Sequence, residues 1–166
     1  MRVLFCLIFL FGSFWELKSL PPNSSYSKGE ELFALRIAPI LQEKCFACHS
    51  EKEGKLKGDL DLSSLEGMIF GGETSEKVLV PKKPEESLLI TAIEWKDPDY
   101  EMPPKENDKL TEKQVQYFRE WIKLGAPWPK QKVQDRIKAT ERKKIQTDEG
   151  IIVNNSGGLS DDWTYR

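Results

Sequence analysis

Histidine is nearly absent from this chain of 166 residues: His49 is the only one. That excludes any site needing two imidazoles, and with them the usual zinc sets of two or more histidines. Cysteine is scarce and odd in number, at Cys6, Cys45 and Cys48, and methionine occurs only at positions 1, 68 and 102. Alternating apolar and polar runs of strand type are nearly absent, and no internal repeat occurs. No phosphate-cradling glycine loop, paired general acid and base, or nucleophile constellation is recognisable, so the sequence offers no machinery for hydrolysis or group transfer. Only one long apolar run exists, Val3 to Phe14, after Met1-Arg2. It is too short to span a bilayer comfortably and has the length of a signal-peptide apolar segment. Residues 1–19 are therefore read as a signal peptide or a short N-terminal anchor, although no Ala-x-Ala cleavage site is present. Its removal would take Cys6 away and leave the pair Cys45/Cys48.

Charge is ordinary in total and uneven in placement. The chain has a net charge of −2. Residues 28–129 hold 15 basic and 20 acidic side chains, whereas residues 130–147 hold 7 basic and 2 acidic. The acidic central region argues against nucleic-acid binding, and the short basic segment reads as a solvated face.

Residues 20–29, rich in Pro, Ser, Asn and Gly, read as a linker. A helix is expected from Glu30 to Lys44, with Phe33, Ile37, Ile40, Leu41 and Cys45 on one face and a disturbance at Pro39. A short helix is expected near Ser63, capped by Ser63 with Glu66 and stopped at Gly71-Gly72. Another is expected to open at Pro84 and to carry Leu88, Leu89, Ala92 and Ile93. The best-marked helix starts at Thr111, boxed by Gln114, shows Val115, Phe118 and Ile122 as a stripe, and ends at Gly125. Its stripe is expected to pack on Phe33 and Ile37. Beyond Pro129 only Val133, Ile137 and Ile145 keep a thin helical period. Residues 130–166 are read as a basic, partly helical or disordered tail, dispensable for the site.

The informative segment is Cys45-Phe46-Ala47-Cys48-His49, a C-x-x-C-H pattern of haem attachment. Two thiols three residues apart on a turn point the same way and can reach the two vinyl groups on one haem edge. His49, one turn beyond Cys45, can reach the iron from the same side. A C-x-x-C thiol oxidoreductase is a weaker reading, because that pair opens a helix beside βαβ units, whereas here it closes an amphipathic one. A zinc site lacks ligands, and a disulfide across two residues closes too short a loop to stabilise much. With no second histidine the sixth iron ligand is Met, Lys, a weaker group or none. Met102 is favoured over Met68, because Pro103 and Pro104 stiffen an extended loop around it and it lies 53 residues beyond His49 against 19 for Met68. A thioether opposite an imidazole favours ferrous iron and raises the potential.

From Phe33 to Pro129 the chain resembles the planctomycete-type cytochrome c domain. The pieces that match are Arg36 to Leu41, Cys45 to His49, Gly58 to Leu62, Val80-Pro81, Pro84 to Ile90, Met102-Pro103-Pro104, and Trp121 to Pro129. Ser50 and Asp59 depart from residues that are often Gly or small. The resemblance implies an all-α, class I-like cytochrome c fold of about four short helices around one haem, occupying residues 30–129. It implies one covalent haem c with its iron, anchored by Cys45 and Cys48 and ligated by His49 and Met102. The expected role is single-electron transfer without catalysis, toward a redox partner protein, in an exported, periplasmic or cell-surface setting in a bacterium. A haem-bearing module of a larger secreted enzyme is the alternative.

Overall fold

A computed structural model describes residues 26–74 and 77–148. The readings of residues 1–19, of Cys6 and of residues 149–166 of the tail lie outside these residues. The described part is helical, with one small two-stranded ladder.

The first helical rod has three consecutive pieces: α1 (Lys28–Leu32), a π-helical turn (Phe33–Ile37) and α2 (Ala38–Lys44). It begins two residues earlier than expected, inside the stretch read as linker, because Ser27 and Glu30 form a capping box. Gly29 is buried there, and an added Cβ would meet Pro127 Cγ at 2.6 Å. It is thus a seat for the chain that closes the domain. Pro39 has no N–H to return to the preceding turn. Just before it the helix widens, and the Ala38 N–H bonds to the Phe33 carbonyl, five residues back.

After a hairpin of β1 (His49–Ser50) and β2 (Lys55–Leu56) come a 3₁₀ turn (Lys57–Asp59) and α3 (Leu65–Phe70). The cap of α3 is Ser64, which accepts the Gly67 N–H at 3.0 Å, and not Ser63. Ser63 is occupied by Asp61, to which its hydroxyl donates at 2.6 Å. The helix expected at Pro84 is split into a 3₁₀ turn (Pro84–Glu86) and α4 (Leu88–Ile93). Ser87 sits at the break, 2% exposed. Its hydroxyl accepts from Val80 N and donates to the Lys83 carbonyl, both at 2.9 Å. A third 3₁₀ turn (Glu106–Asp108) leads to α5 (Glu112–Lys123).

Helix α5 starts at the Thr111/Gln114 box and ends in a Schellman arrangement, with Gly125 N–H on the Ile122 carbonyl and Ala126 N–H on that of Trp121. Its apolar stripe packs on the first rod: Phe33 lies 5.7 Å from Trp121 and 4.4 Å from Trp128, ring centre to ring centre. The Trp121 N–H donates to the Pro127 carbonyl at 2.9 Å. This aromatic group, with Phe118 edge-on to Trp121, is the centre of the core.

The basic segment is more than an appendage. Residues Gln131–Asp148 form α6, which packs on the π-helical turn. Ile137 is 3% exposed, and the buried Gln134 amide donates to the Pro129 carbonyl at 2.9 Å. The thin apolar period at Val133 and Ile137 is therefore enough to dock a helix whose other faces are charged.

Candidate functional site

Helix α2 runs out at Cys45, whose backbone leaves helical geometry at φ −121°. The Cys45 N–H still bonds the Leu41 carbonyl at 3.0 Å, and the Cys45 carbonyl accepts from both Cys48 N and His49 N, at 3.1 and 3.0 Å. This turn brings the two thiols and the imidazole to one place. Backbone bonds from beyond the strand ladder then hold the turn in position. Lys57 N–H donates to the Cys48 carbonyl and Leu62 N–H to that of His49, both at 2.9 Å. Farther round, the Glu73 N–H reaches the Gly58 carbonyl at 2.8 Å. Gly72 permits this approach, since a Cβ there would stand 2.1 Å from the Gly58 oxygen.

Cys45, Cys48, His49 and Met102 all line one cavity of about 280 Å³. The rest of its wall is chiefly apolar, with Leu60, Leu62, Val78, Leu89 and Ile93 prominent. Met68, the other candidate thioether, is fully buried in the core and is not part of this wall. Met102 keeps 39% of its surface exposed.

Electrostatics follow from burial. Burial, and then the neighbouring Cys48, push the Cys45 thiol up to about 12. Burial also lowers the pKa of His49, outweighing the opposite pull of backbone groups at Lys57 and Leu60. Among the described residues, its Nδ1 is buried without a hydrogen-bond partner. A neutral imidazole is the form that ligates a metal. A haem suits this donor set: two free thiols on one turn, a neutral imidazole and a thioether around an apolar cleft. A redox-active thiol pair suits it less. Such thiols have lowered pKa values at helix N-termini, whereas Cys45 caps the C-terminus of α2. Among the described residues, no group of three or more His, Cys, Asp or Glu is placed to hold a metal ion.

Residues 45–106 match the family model of planctomycete cytochrome C. Over these residues, little more than a third of the chain, the protein is similar to that family. No curated protein and no solved structure gives a match. The mostly helical, cytochrome-like fold expected from the sequence is the fold observed, and haem binding with electron transfer is the general role of the family that residues 45–106 resemble. The matched segment opens at Cys45 and closes three residues after Pro103. The long rods that brace it, α1–α2, α5 and α6, lie outside the match. Among the described residues no helix is long and apolar enough to cross a membrane.

The sequence reading overlooked the backbone that carries Met102. Its N–H donates to the Ala92 carbonyl at 3.0 Å, and its carbonyl accepts the Trp95 indole N–H at 3.2 Å. No local pattern announces these bonds, which close loops of seven and ten residues.

Proposed function

We propose that this chain is an electron-carrying c-type cytochrome with one covalent haem and His49/Met102 ligation. The observation that carries the proposal is the convergence of Cys45, Cys48, His49 and Met102 on one apolar cavity. Cys45 and Cys48 would hold the haem as thioethers, each thiol adding across a vinyl group with its hydrogen going to the neighbouring carbon. The bound haem supplies a one-electron iron couple. His49 would donate its imidazole lone pair to the iron, and Met102 its thioether. Leu60, Leu62, Val78 and Leu89 exclude water, which disfavours the ferric charge and raises the potential alongside the thioether. The role is electron carriage to and from a redox partner protein. An exported setting, periplasmic or at the cell surface, suits the apolar run Val3 to Phe14.

The test is a reductive titration of protein made with cytochrome c maturation machinery. One electron per chain should convert a ferric spectrum to a six-coordinate ferrous one, reversibly. Met102→Ala should abolish the far-red thioether–iron band of the ferric form and lower the potential. A colourless protein with a Cys45–Cys48 disulfide that exchanges with thiols would overturn the reading.

A further inference from the structure

Met102 has an unbranched side chain with three rotatable bonds, so its own stiffness does not fix the sulfur. Its backbone, by contrast, is gripped from both sides by the end of α4. The Ala92 carbonyl accepts the N–H of Met102 at 3.0 Å and the backbone N–H of Trp95 at 3.2 Å. The Trp95 indole N–H closes the grip by donating to the Met102 carbonyl at 3.2 Å.

Trp95 occupies an unusual backbone position for its size. It lies just past α4 with φ +56°, the left-handed site where helices usually end in glycine. A glycine would adopt this conformation without strain but could not supply the indole donor. The ring is also held on its outer side: Lys109 Nζ lies 4.8 Å from its centre, a cation–π contact that orients the indole.

We propose that Trp95 is a positioning residue that keeps Met102 seated as the iron ligand, with Lys109 steadying the indole. This rests on the reading of Met102 as that ligand. The donor limits how far the loop around Met102 can lift away, and so how readily an external ligand displaces the thioether.

The test uses holoprotein of the full chain, titrated in the ferric state with imidazole, which competes with the Met102 sulfur. Trp95→Phe keeps an aromatic ring near Lys109 and deletes the donor. It should bind imidazole roughly 3- to 10-fold more tightly than the parent, the loss of one net hydrogen bond, with a weaker far-red thioether band. Trp95→Gly relieves the backbone strain, so it should fold, and it should show at least the same gain. Val115→Ala, in the buried stripe of α5, lowers melting temperature away from the cavity and should leave imidazole affinity unchanged. Unchanged affinity and band in both Trp95 variants would overturn the proposal while leaving the ligand assignment intact. Absence of the band in the parent, or its survival in Met102→Ala, would overturn the ligand assignment and this proposal with it.

Discussion

The rods that brace this molecule and the segment that lines its cavity are built on different principles. The bracing helices α1–α2, α5 and α6 are long or continuous, and two begin at complete capping boxes. The first rod and α5 meet through fully buried aromatics, and α6 packs on the first rod with Ile137 buried. Residues 45–106 contain, among the described residues, no element longer than six residues. They rely on 3₁₀ turns, a two-residue ladder, and left-handed residues at Asp59, Lys82 and Trp95. The rods fill their own core, whereas Leu60, Leu62 and Val78 face a cavity. The contrast teaches that the cavity-lining segment, the part similar to the family model, is braced by helices outside it.

The comparison breaks most sharply at the aromatic centre. Trp121→Ala removes a fully buried ring and should cost about 3–5 kcal/mol in denaturant unfolding. A loss below about 1 kcal/mol would mean that the rods do not support the fold. Next comes α6. Ile137→Ala should cost about 2–3 kcal/mol with the haem spectrum unchanged, showing that this helix stabilises the frame without touching the site. A chain ending at Lys130 should lose stability too, yet retain its visible spectrum, as a tail dispensable for the site would.

The joint between the two regions is Arg119. From α5 it reaches Glu94 at the end of α4 at 2.7 Å, and it also pairs with Glu85. Burial alone would raise the pKa of Glu94, but the Lys96 and Arg119 cations outweigh burial and hold it below the ordinary range. A carboxylate with a lowered folded pKa contributes stability above its unfolded pKa and loses it as pH falls through the folded value. Arg119→Met should therefore cost about 1–2 kcal/mol at neutral pH and flatten the acid limb of the stability profile. A variant as acid-sensitive as the parent would dissolve the joint. The smallest effect is expected at Met68, where Leu conserves volume in the core: Met68→Leu should cost under about 1.5 kcal/mol and leave the ferric thioether band untouched.

Legibility in the sequence divides along the same line. Thr111, Gln114 and Gly125 announce α5 because capping and termination are local chemistry. The 3.6-residue period marks its buried face for the same reason. The C-x-x-C-H turn is readable because its spacing is its function. Ser63 and Ser64 are not separable by sequence, since either can cap and only the position of Asp61 decides. The burial of Gln134 depends on a carbonyl presented by Pro129, and α5 and α6 both pack on the widened turn before Pro39. The cavity is assembled from segments far apart in the chain, and the grip on Met102 from residues seven and ten positions before it, through contacts that leave no periodic trace.

The central claim is covalent attachment of one haem at Cys45 and Cys48. Intact mass spectrometry of denatured protein, produced with haem maturation machinery, tests it most directly. The account predicts a chain heavier by the mass of one haem, retained through acid-acetone extraction, with Cys45→Ala/Cys48→Ala carrying none. A parent chain of unmodified mass, or a haem that the double variant keeps, would contradict it.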